Sequence, residues 1–149
     1  MHPSTYRFRF LFIHADLDFT EARRTLSAIP RIKTSHVSTA GQGRISHLGQ
    51  KLEGKYFDSR WGFDFETSDA WRKSEDESIA DAIEGMLQNL SPHKPLLDEL
   101  ANKGCDLQLI VAIGVEGNTA HGFAPVILQQ LSDLHLTLWF DLYLANPVT

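Results

Sequence analysis

A chain of 149 residues with 42% hydrophobic and 22% charged residues has the composition of an ordinary globular protein, which argues against disorder. Its one cysteine excludes an intramolecular disulfide and a zinc site built on thiolates, and no apolar run reaches the roughly 20 residues needed to span a bilayer. We therefore expect one domain over residues 1–149 that is soluble, cytoplasmic and without a membrane partner.

The net charge of −5 is unevenly distributed. Residues 1–55 contain nine Lys and Arg and four Asp and Glu, whereas residues 56–149 contain five and fifteen. Two interpretations stay open: the halves neutralise each other in the fold, or the basic N-terminal half binds anions or nucleic acid. The acidic total argues against nucleic acid, and so do the aromatic residues beside Arg7 and Arg9, which fit a core better.

The N-terminal region begins with an alternating pattern. Aromatic residues at every second position predict the buried face of a strand: Tyr6, Phe8, Phe10 and Phe12. Arg7 and Arg9 on its other face indicate partial hydration, which favours an antiparallel or mixed sheet. Asp18 and Glu21 then have the spacing of a capping box, which predicts a helix over residues 19–28 that Pro30 ends.

Residues 34–51 are rich in Ser, Thr, Gly and Gln and predict a long loop, with one short strand near Ile32. A strand is predicted over residues 55–67. Three aromatic residues share one of its faces: Trp61, Phe63 and Phe65.

The second half alternates helices and strands. Ser74 and Glu77 form a second capping box before an amphipathic helix, and Ser91 and Pro92 restart a helix that ends at Gly104. Three elements follow: a strand over residues 107–115, a helix over 125–134 and a strand over 136–144. This order predicts an α+β fold, a two-layer sandwich with helices packed on one face of a mixed, mainly antiparallel sheet.

Residues 16–20, "DLDFT", have the D-x-D-x-T form of phosphatases with an aspartate nucleophile, the haloacid-dehalogenase superfamily. That chemistry also requires a lysine and a further acidic cluster for magnesium. No later Asp-Asp pair follows a strand, so we interpret Asp18 as a helix cap. A hydrolase or metal-assisted phosphatase acting from His14, Asp16 and Asp18 is the alternative.

Other patterns predict no catalytic, cofactor-binding or metal-binding residues. The seven His residues include no H-x-H and no i, i+4 pair, G-x-S-x-G is absent, and residues 41–49 lack the lysine of a P-loop. Cys105, which follows the helix-ending Gly104, is expected to be a buried structural thiol.

Four segments, in this order, resemble a bacterial family: "DLDFTEARRTLSAIP", "YFDSRWGFDFETS", "SIADAIEGMLQNLSPHKPLLDELANKGCDLQLIVAI" and "APVILQQLSDLHLTLWFDLY". The family is the one known as domain of unknown function 4279, and the similarity runs over residues 6–143. The matching positions are Asp16, Asp18, Pro30, Trp61, Asp141 and Tyr143. The chain departs from the family at "TAGQGR" in residues 39–44. The resemblance implies no catalytic residues, and by analogy it implies an immunity-type partner of a toxin.

We therefore predict a non-catalytic protein-binding module whose partner is another protein or a second copy of itself. The predicted binding surface is the 34–51 segment with four flanking or included residues: Arg31, Lys33, Arg44 and Trp71. This stretch has too few apolar residues for a core and is longer than a connection requires. A mobile loop without a role is the alternative.

Overall fold

The structure, a computed structural model, describes residues 4–65 and 71–144. Its strands are β1 (Thr5–His14), β2 (Ile32–Ser38), β3 (Gly43–Ile45), β4 (Lys51–Lys55), β5 (Ser59–Phe65), β6 (Arg72–Lys73), β7 (Asp106–Val115) and β8 (Leu136–Leu144). Its helices are α1 (Thr20–Leu26), α2 (Ile79–Leu90), α3 (Lys94–Asn102) and α4 (Pro125–Asp133), and a 3₁₀ turn at Ser91–His93 joins α2 to α3.

The aromatic strand β1 lies at the centre of a sheet with the order β2-β5-β1-β7-β8. It pairs antiparallel with both neighbours, so that Phe10 lies between Phe63 of β5 and Leu109 of β7. β2 forms one edge, antiparallel to β5, and β8 forms the other, parallel to β7. β6 adds two residues beside the start of β1, and β3 and β4 form a separate hairpin. The predicted α+β fold with a mainly antiparallel sheet is confirmed.

The core lies on one face of this sheet, between the strands and the helices. The even-numbered aromatic residues of β1 belong to one buried cluster with apolar residues from all four helices. The rings interlock: Phe10 stacks on Phe63 with 5.0 Å between ring centroids, and Phe12 meets Trp61 edge-on at 5.6 Å. The predicted aromatic rows of β1 and β5 are therefore confirmed as core, and each large ring contributes roughly 1.5–3 kcal/mol by burial.

The other side of the sheet, which we call the open face, carries the odd-numbered residues of β1. Arg9 is exposed there, and Arg7, Leu11 and Ile13 are half-buried. None of these four side chains belongs to the buried cluster, and all of them are at least partly accessible to solvent. The partial hydration predicted for this face is therefore confirmed.

The prediction of a long loop over residues 34–51 is wrong. Half of this segment lies in strands: the strand predicted near Ile32 is β2, which runs to Ser38 and pairs with β5, and β3 and β4 pair with each other. The polar composition that suggested a loop has another cause, because the hairpin is exposed throughout and β2 is exposed along most of its length. The strand predicted over residues 55–67 is also divided, since β4 ends at Lys55 and β5 begins at Ser59, while residues 66 and 67 lie outside the described residues.

The helix ends in the second half were predicted with mixed success. The capping box at Ser74 is wrong: the N-cap of α2 is Ser78, four residues later, which accepts a hydrogen bond from the amide of Asp81 at 3.1 Å. Ser74 instead joins the start of β1, since its hydroxyl accepts from the amide of Ser4 at 3.0 Å. Gly104, with φ of 89°, does follow the last turn of α3 as predicted.

Candidate interaction surface

The loop with the phosphatase-like sequence uses its polar groups to hold its own backbone. His14 Nδ1 accepts from the amides of Asp16 at 3.0 Å and Leu17 at 2.9 Å, while Nε2 lies 2.7 Å from the carbonyl oxygen of Lys103. A carbonyl only accepts, so Nε2 donates to it, and both ring nitrogens of His14 are engaged. The Asp16 side chain is 87% exposed. Within the described residues, no three His, Cys, Asp or Glu side chains gather to hold a metal ion.

Asp18 is a turn residue in this loop. Its carboxylate accepts from the amide of Thr20 at 2.8 Å and from the Thr20 hydroxyl at 2.5 Å. These two hydrogen bonds lower the pKa of this carboxyl, and the bond from the Thr20 hydroxyl contributes more than the bond from the amide. The predicted capping box is wrong, because Glu21 pairs with Arg24 at 2.8 Å and α1 begins at Thr20 and ends at Leu26. Asp18 stabilises the turn before the helix.

The four residues of the predicted binding surface are spread over several parts of the fold. Arg31 precedes β2 with a φ of 73°, and Lys33 lies within β2, opposite Asp64 of β5. Arg44 lies on the exposed hairpin, where its guanidinium donates to the carbonyl of Glu53 at 3.3 Å. The ring of Trp71 packs on the open face against Tyr143 of β8, which belongs to the opposite edge of the sheet. Their role in binding stays a prediction.

The edge strand β8 leaves apolar side chains exposed on both faces of the sheet. Leu136, at its start, is buried and Leu138 is half-buried beneath the helices. Beyond them every residue is exposed, and Leu142 and Leu144 are 66% and 86% exposed. We call the exposed apolar residues the β8 surface: Trp139, Phe140, Leu142, Tyr143 and Leu144. Among residues 4–65 and 71–144, no strand pairs with the outer side of β8.

On the helix side, the β8 surface borders a concavity of about 360 Å³. Phe140 and Leu142 line it together with Phe123 from the segment between β7 and α4. Phe123 and Phe140 have ring centroids 5.8 Å apart. The same segment is joined to the start of β1, because His121 Nε2 lies 2.9 Å from the hydroxyl of Ser4. Ser4 is buried, so this Ser-His pair serves to position the segment and offers no accessible nucleophile.

On the open face, the β8 surface continues into a mixed aromatic and charged area. The Arg7 guanidinium lies 4.8 Å from the centroid of the Trp71 ring, and Trp71 meets Tyr143 edge-on at 5.8 Å. The Tyr143 hydroxyl donates to Asp141 at 2.8 Å. Leu11 and neighbouring residues line a further concavity of about 410 Å³ that reaches Trp139. Basic and acidic side chains alternate here, which differs from the single-sign stripe expected of a nucleic-acid site.

The comparisons with known proteins confirm the family that the sequence resembles. The model of the family described as "Domain of unknown function (DUF4279)" matches residues 4–145, which is nearly the whole chain. The chain belongs to this family. Searches with it found no match among curated proteins and none among solved structures. None of the helices described for this DUF4279 domain is both long and apolar enough to cross a membrane.

Sequence reasoning missed the β8 surface of this DUF4279 domain, although a signal for it was present. Residues 136–144, "LTLWFDLYL", are apolar on both faces, a pattern typical of strands that are covered on both sides. The sequence does not reveal that this strand lies at an edge, where such cover is missing. Cys105 also differs from its prediction, because it is half-buried rather than buried.

Proposed function

We propose that this DUF4279 domain is a non-catalytic protein-binding module that binds its partner through β8. One observation supports the proposal: β8 is an edge strand whose apolar side chains are exposed on both faces. An exposed, long, apolar edge strand invites pairing with another chain, and proteins usually blunt such edges with charges, bulges or a covering element. β8 has a single charged residue, Asp141, and no described irregularity in its register with β7.

The composition of the β8 surface also supports a protein partner. Trp, Tyr and Arg are the residue types enriched at the centres of protein interfaces. On the open-face side, Arg7 and Tyr143 line a concavity that shares Asp141 with the one that Trp139 lines. On the helix side, complete burial of Phe140 and Leu142 would contribute roughly 1.5–3 kcal/mol each, less the part that is already buried. Free β-strand backbone groups supply hydrogen bonds to a partner in extended conformation. An immunity-type toxin partner, as the family resemblance implied, is one protein of this kind.

A capture experiment with matched variants tests this proposal. The tagged protein is cross-linked in extracts of the organism that encodes it, and bound proteins are identified by mass spectrometry. We expect Leu144→Lys on β8 to abolish recovery of the partner, and Val37→Lys on β2 to leave it unchanged. Both side chains are exposed in the free protein, so neither change should disturb folding.

Two further variants separate the β8 surface from the alternatives. Loss of the partner in Arg31→Ala with Arg44→Ala, but not in Leu144→Lys, would transfer the binding role to the basic surface. For the hydrolase alternative, phosphatase and esterase substrates are assayed with magnesium, manganese and zinc. Turnover that disappears in a folded Asp16→Asn protein would overturn the non-catalytic assignment.

A further inference from the structure

We infer that a second copy of this chain occupies the β8 surface, with β8 pairing antiparallel to β8 across a two-fold axis and Phe140 opposite its own copy. The inference rests on the proposed function and names the partner. A strand edge is recognised by an extended segment that brings backbone donors and acceptors together with apolar side chains for both faces. β8 is itself such a segment, because eight of its nine residues are uncharged and its outer side is unpaired within the described chain.

The symmetry restricts the possible registers. With the two-fold axis perpendicular to the sheet, directly opposite residues share a face, so even-numbered positions pair with even-numbered positions. Phe140 is the middle residue of β8, so placing it opposite its copy pairs all nine residues. Shifting the centre to Asp141 would set two carboxylates directly against each other, which destabilises a strand pair. In the inferred register, Asp141 lies opposite Trp139 of the second copy.

The cover that one copy lacks is what the other copy supplies. In each chain the helices cover the start of β8, where Leu136 is buried, and leave the end of the strand bare. The antiparallel register brings Leu142 opposite Leu138 of the second copy and Leu144 opposite Leu136. The bare half of each β8 therefore lies beside the half that the other copy's helices cover. Each concavity next to Phe140 is extended by apolar surface from the second copy.

Helix α4 has apolar side chains suited to this contact. It packs on β8 and against α2, with Ile127 buried and both Val126 and Leu128 about half exposed. At 100° per residue, these two lie on opposite flanks of Ile127. The flank that is turned away from α2 therefore presents an apolar side chain, which can pack on the bare half of the second copy's β8.

The pairing closes on itself and does not continue into a filament. The remaining edge of each sheet is β2, which carries Lys33 and has a register irregularity between Thr34 and His36. Lysine and bulges are features that block edge-to-edge pairing. The β8 surface contacts its own copy, and the other edge of the described sheet is blocked, so the assembly is a closed dimer.

The oligomeric state of the full chain is the first test. Sedimentation equilibrium at micromolar and hundred-micromolar concentration should give about twice the monomer mass of 16.8 kDa for the wild type. Leu142→Lys should give the monomer mass. Val37→Lys, an equally apolar-to-charged change on the helix side of the opposite edge, should remain dimeric. Far-UV circular dichroism verifies that each variant is folded, and Leu144→Lys, at a more exposed position, replaces Leu142→Lys if that protein fails to fold.

Disulfide trapping then tests the register. In a Cys105→Ala background, Phe140→Cys should form an intermolecular disulfide on mild oxidation, because directly opposite side chains have Cβ atoms about 4.5–5.5 Å apart. The control is Leu144→Cys, whose copy lies eight residues away along the paired strand, or about 27 Å. Leu144 is the more exposed of the two, so random collision would favour the control over Phe140→Cys.

Each result separates the inference from the broader proposal. A wild-type protein that is monomeric at both concentrations overturns self-pairing, and so does a dimer that Val37→Lys breaks and Leu142→Lys preserves. A monomer that still captures a different protein through Leu144 overturns self-pairing alone and leaves the protein-binding function standing. A dimer in which Leu144→Cys cross-links faster than Phe140→Cys overturns the inferred register.

Discussion

The two edges of the main sheet solve the same physical problem in different ways. β2 is polar along most of its length, carries Lys33 and is irregular between Thr34 and His36. β8 has one charged residue, follows β7 without a shift in register and exposes large apolar side chains on both faces. Features that block pairing thus occur at β2 and are missing from β8. This contrast is the reason that we propose binding at β8 and not at β2.

β2 is also fastened to the core by side chains. Trp61 Nε1 donates to Thr34 Oγ1 at 3.1 Å, so a fully buried ring of β5 holds the edge strand. β2 and β5 also approach each other closely at Gly62, since a Cβ added there would lie 3.1 Å from the Ser35 hydroxyl. β8 is held instead by its nine-residue pairing with β7 and by the helices over its first residues. The exposed end of β8 is therefore held by its pairing with β7, and a partner that covers it would stabilise it further.

The largest expected effect on stability comes from a change in the core of the central strand β1, which supports both edges of the sheet. Phe10 lies in the central strand, fully buried between Phe63 and Phe65. Phe10→Ala should lower the free energy of unfolding by about 3–5 kcal/mol through lost burial and the cavity left behind. Urea denaturation measures the loss. Arg9→Ala, the exposed neighbour on the open face, should change it by less than about 0.5 kcal/mol. Equal losses for the two variants would contradict the assignment of the faces.

A smaller effect distinguishes the edges directly. Thr34→Val removes the acceptor of Trp61 Nε1 and should cost about 1–3 kcal/mol, because a buried donor loses its partner. We expect the amides of β2 to exchange hydrogen faster, while those of β8 are unchanged. Thr137→Val is the matched control on β8, where Thr137 is exposed and the free energy of unfolding should hardly change. A larger loss in Thr137→Val than in Thr34→Val would contradict the contrast between the edges.

The start of β8 carries a pH-dependent contact. Side-chain hydrogen bonds lower the pKa of the Asp98 carboxyl; the one with Lys94 contributes most and the one with His135 comes second. His135 immediately precedes β8. A carboxyl with a lowered folded pKa contributes stability above its unfolded pKa and loses it as the pH falls through the folded value. Asp98→Asn should therefore lower the melting temperature at about pH 7, and the difference from wild type should shrink as the pH falls through the folded pKa of Asp98. A difference that persists in acid would show that the loss is not electrostatic.

The smallest effect on stability concerns the thiol just before β7. Burial raises the pKa of Cys105 to about 11. Its neutral form is favoured in the folded chain, so this contribution is complete below about pH 8.5 and is lost as the pH rises through the folded value. At pH 8 roughly one thiol in a thousand is ionised, and alkylation by iodoacetamide should be much slower than in the urea-unfolded chain. Equal rates would show that the thiol is not shielded.

The two edges also differ in how far their sequences predicted them. β8 was predicted with its observed bounds of residues 136–144, because only Thr137 and Asp141 interrupt its run of apolar and aromatic residues. For β2 only a short strand near Ile32 was predicted, and residues from 34 onward were assigned to a loop, since the irregularity at Thr34 breaks the alternation and pairing with β5 stabilises a segment that has little apolar content of its own. The β8 surface was missed for a related reason: the order of strands in a sheet is set by pairing between distant segments, which local patterns do not encode.

The central position of β1 has a consequence during protein synthesis. Phe8 pairs with Val111, so β1 leaves the ribosome long before β7, one of its two flanking strands, is made. Until then, the four aromatic side chains of β1 lack part of their cover on the nascent chain, and exposed apolar segments of this kind aggregate readily. Such distant pairing slows folding, because much chain entropy is lost before the contacts form. Chaperones that hold β1 until β7 emerges should therefore raise the yield of native protein.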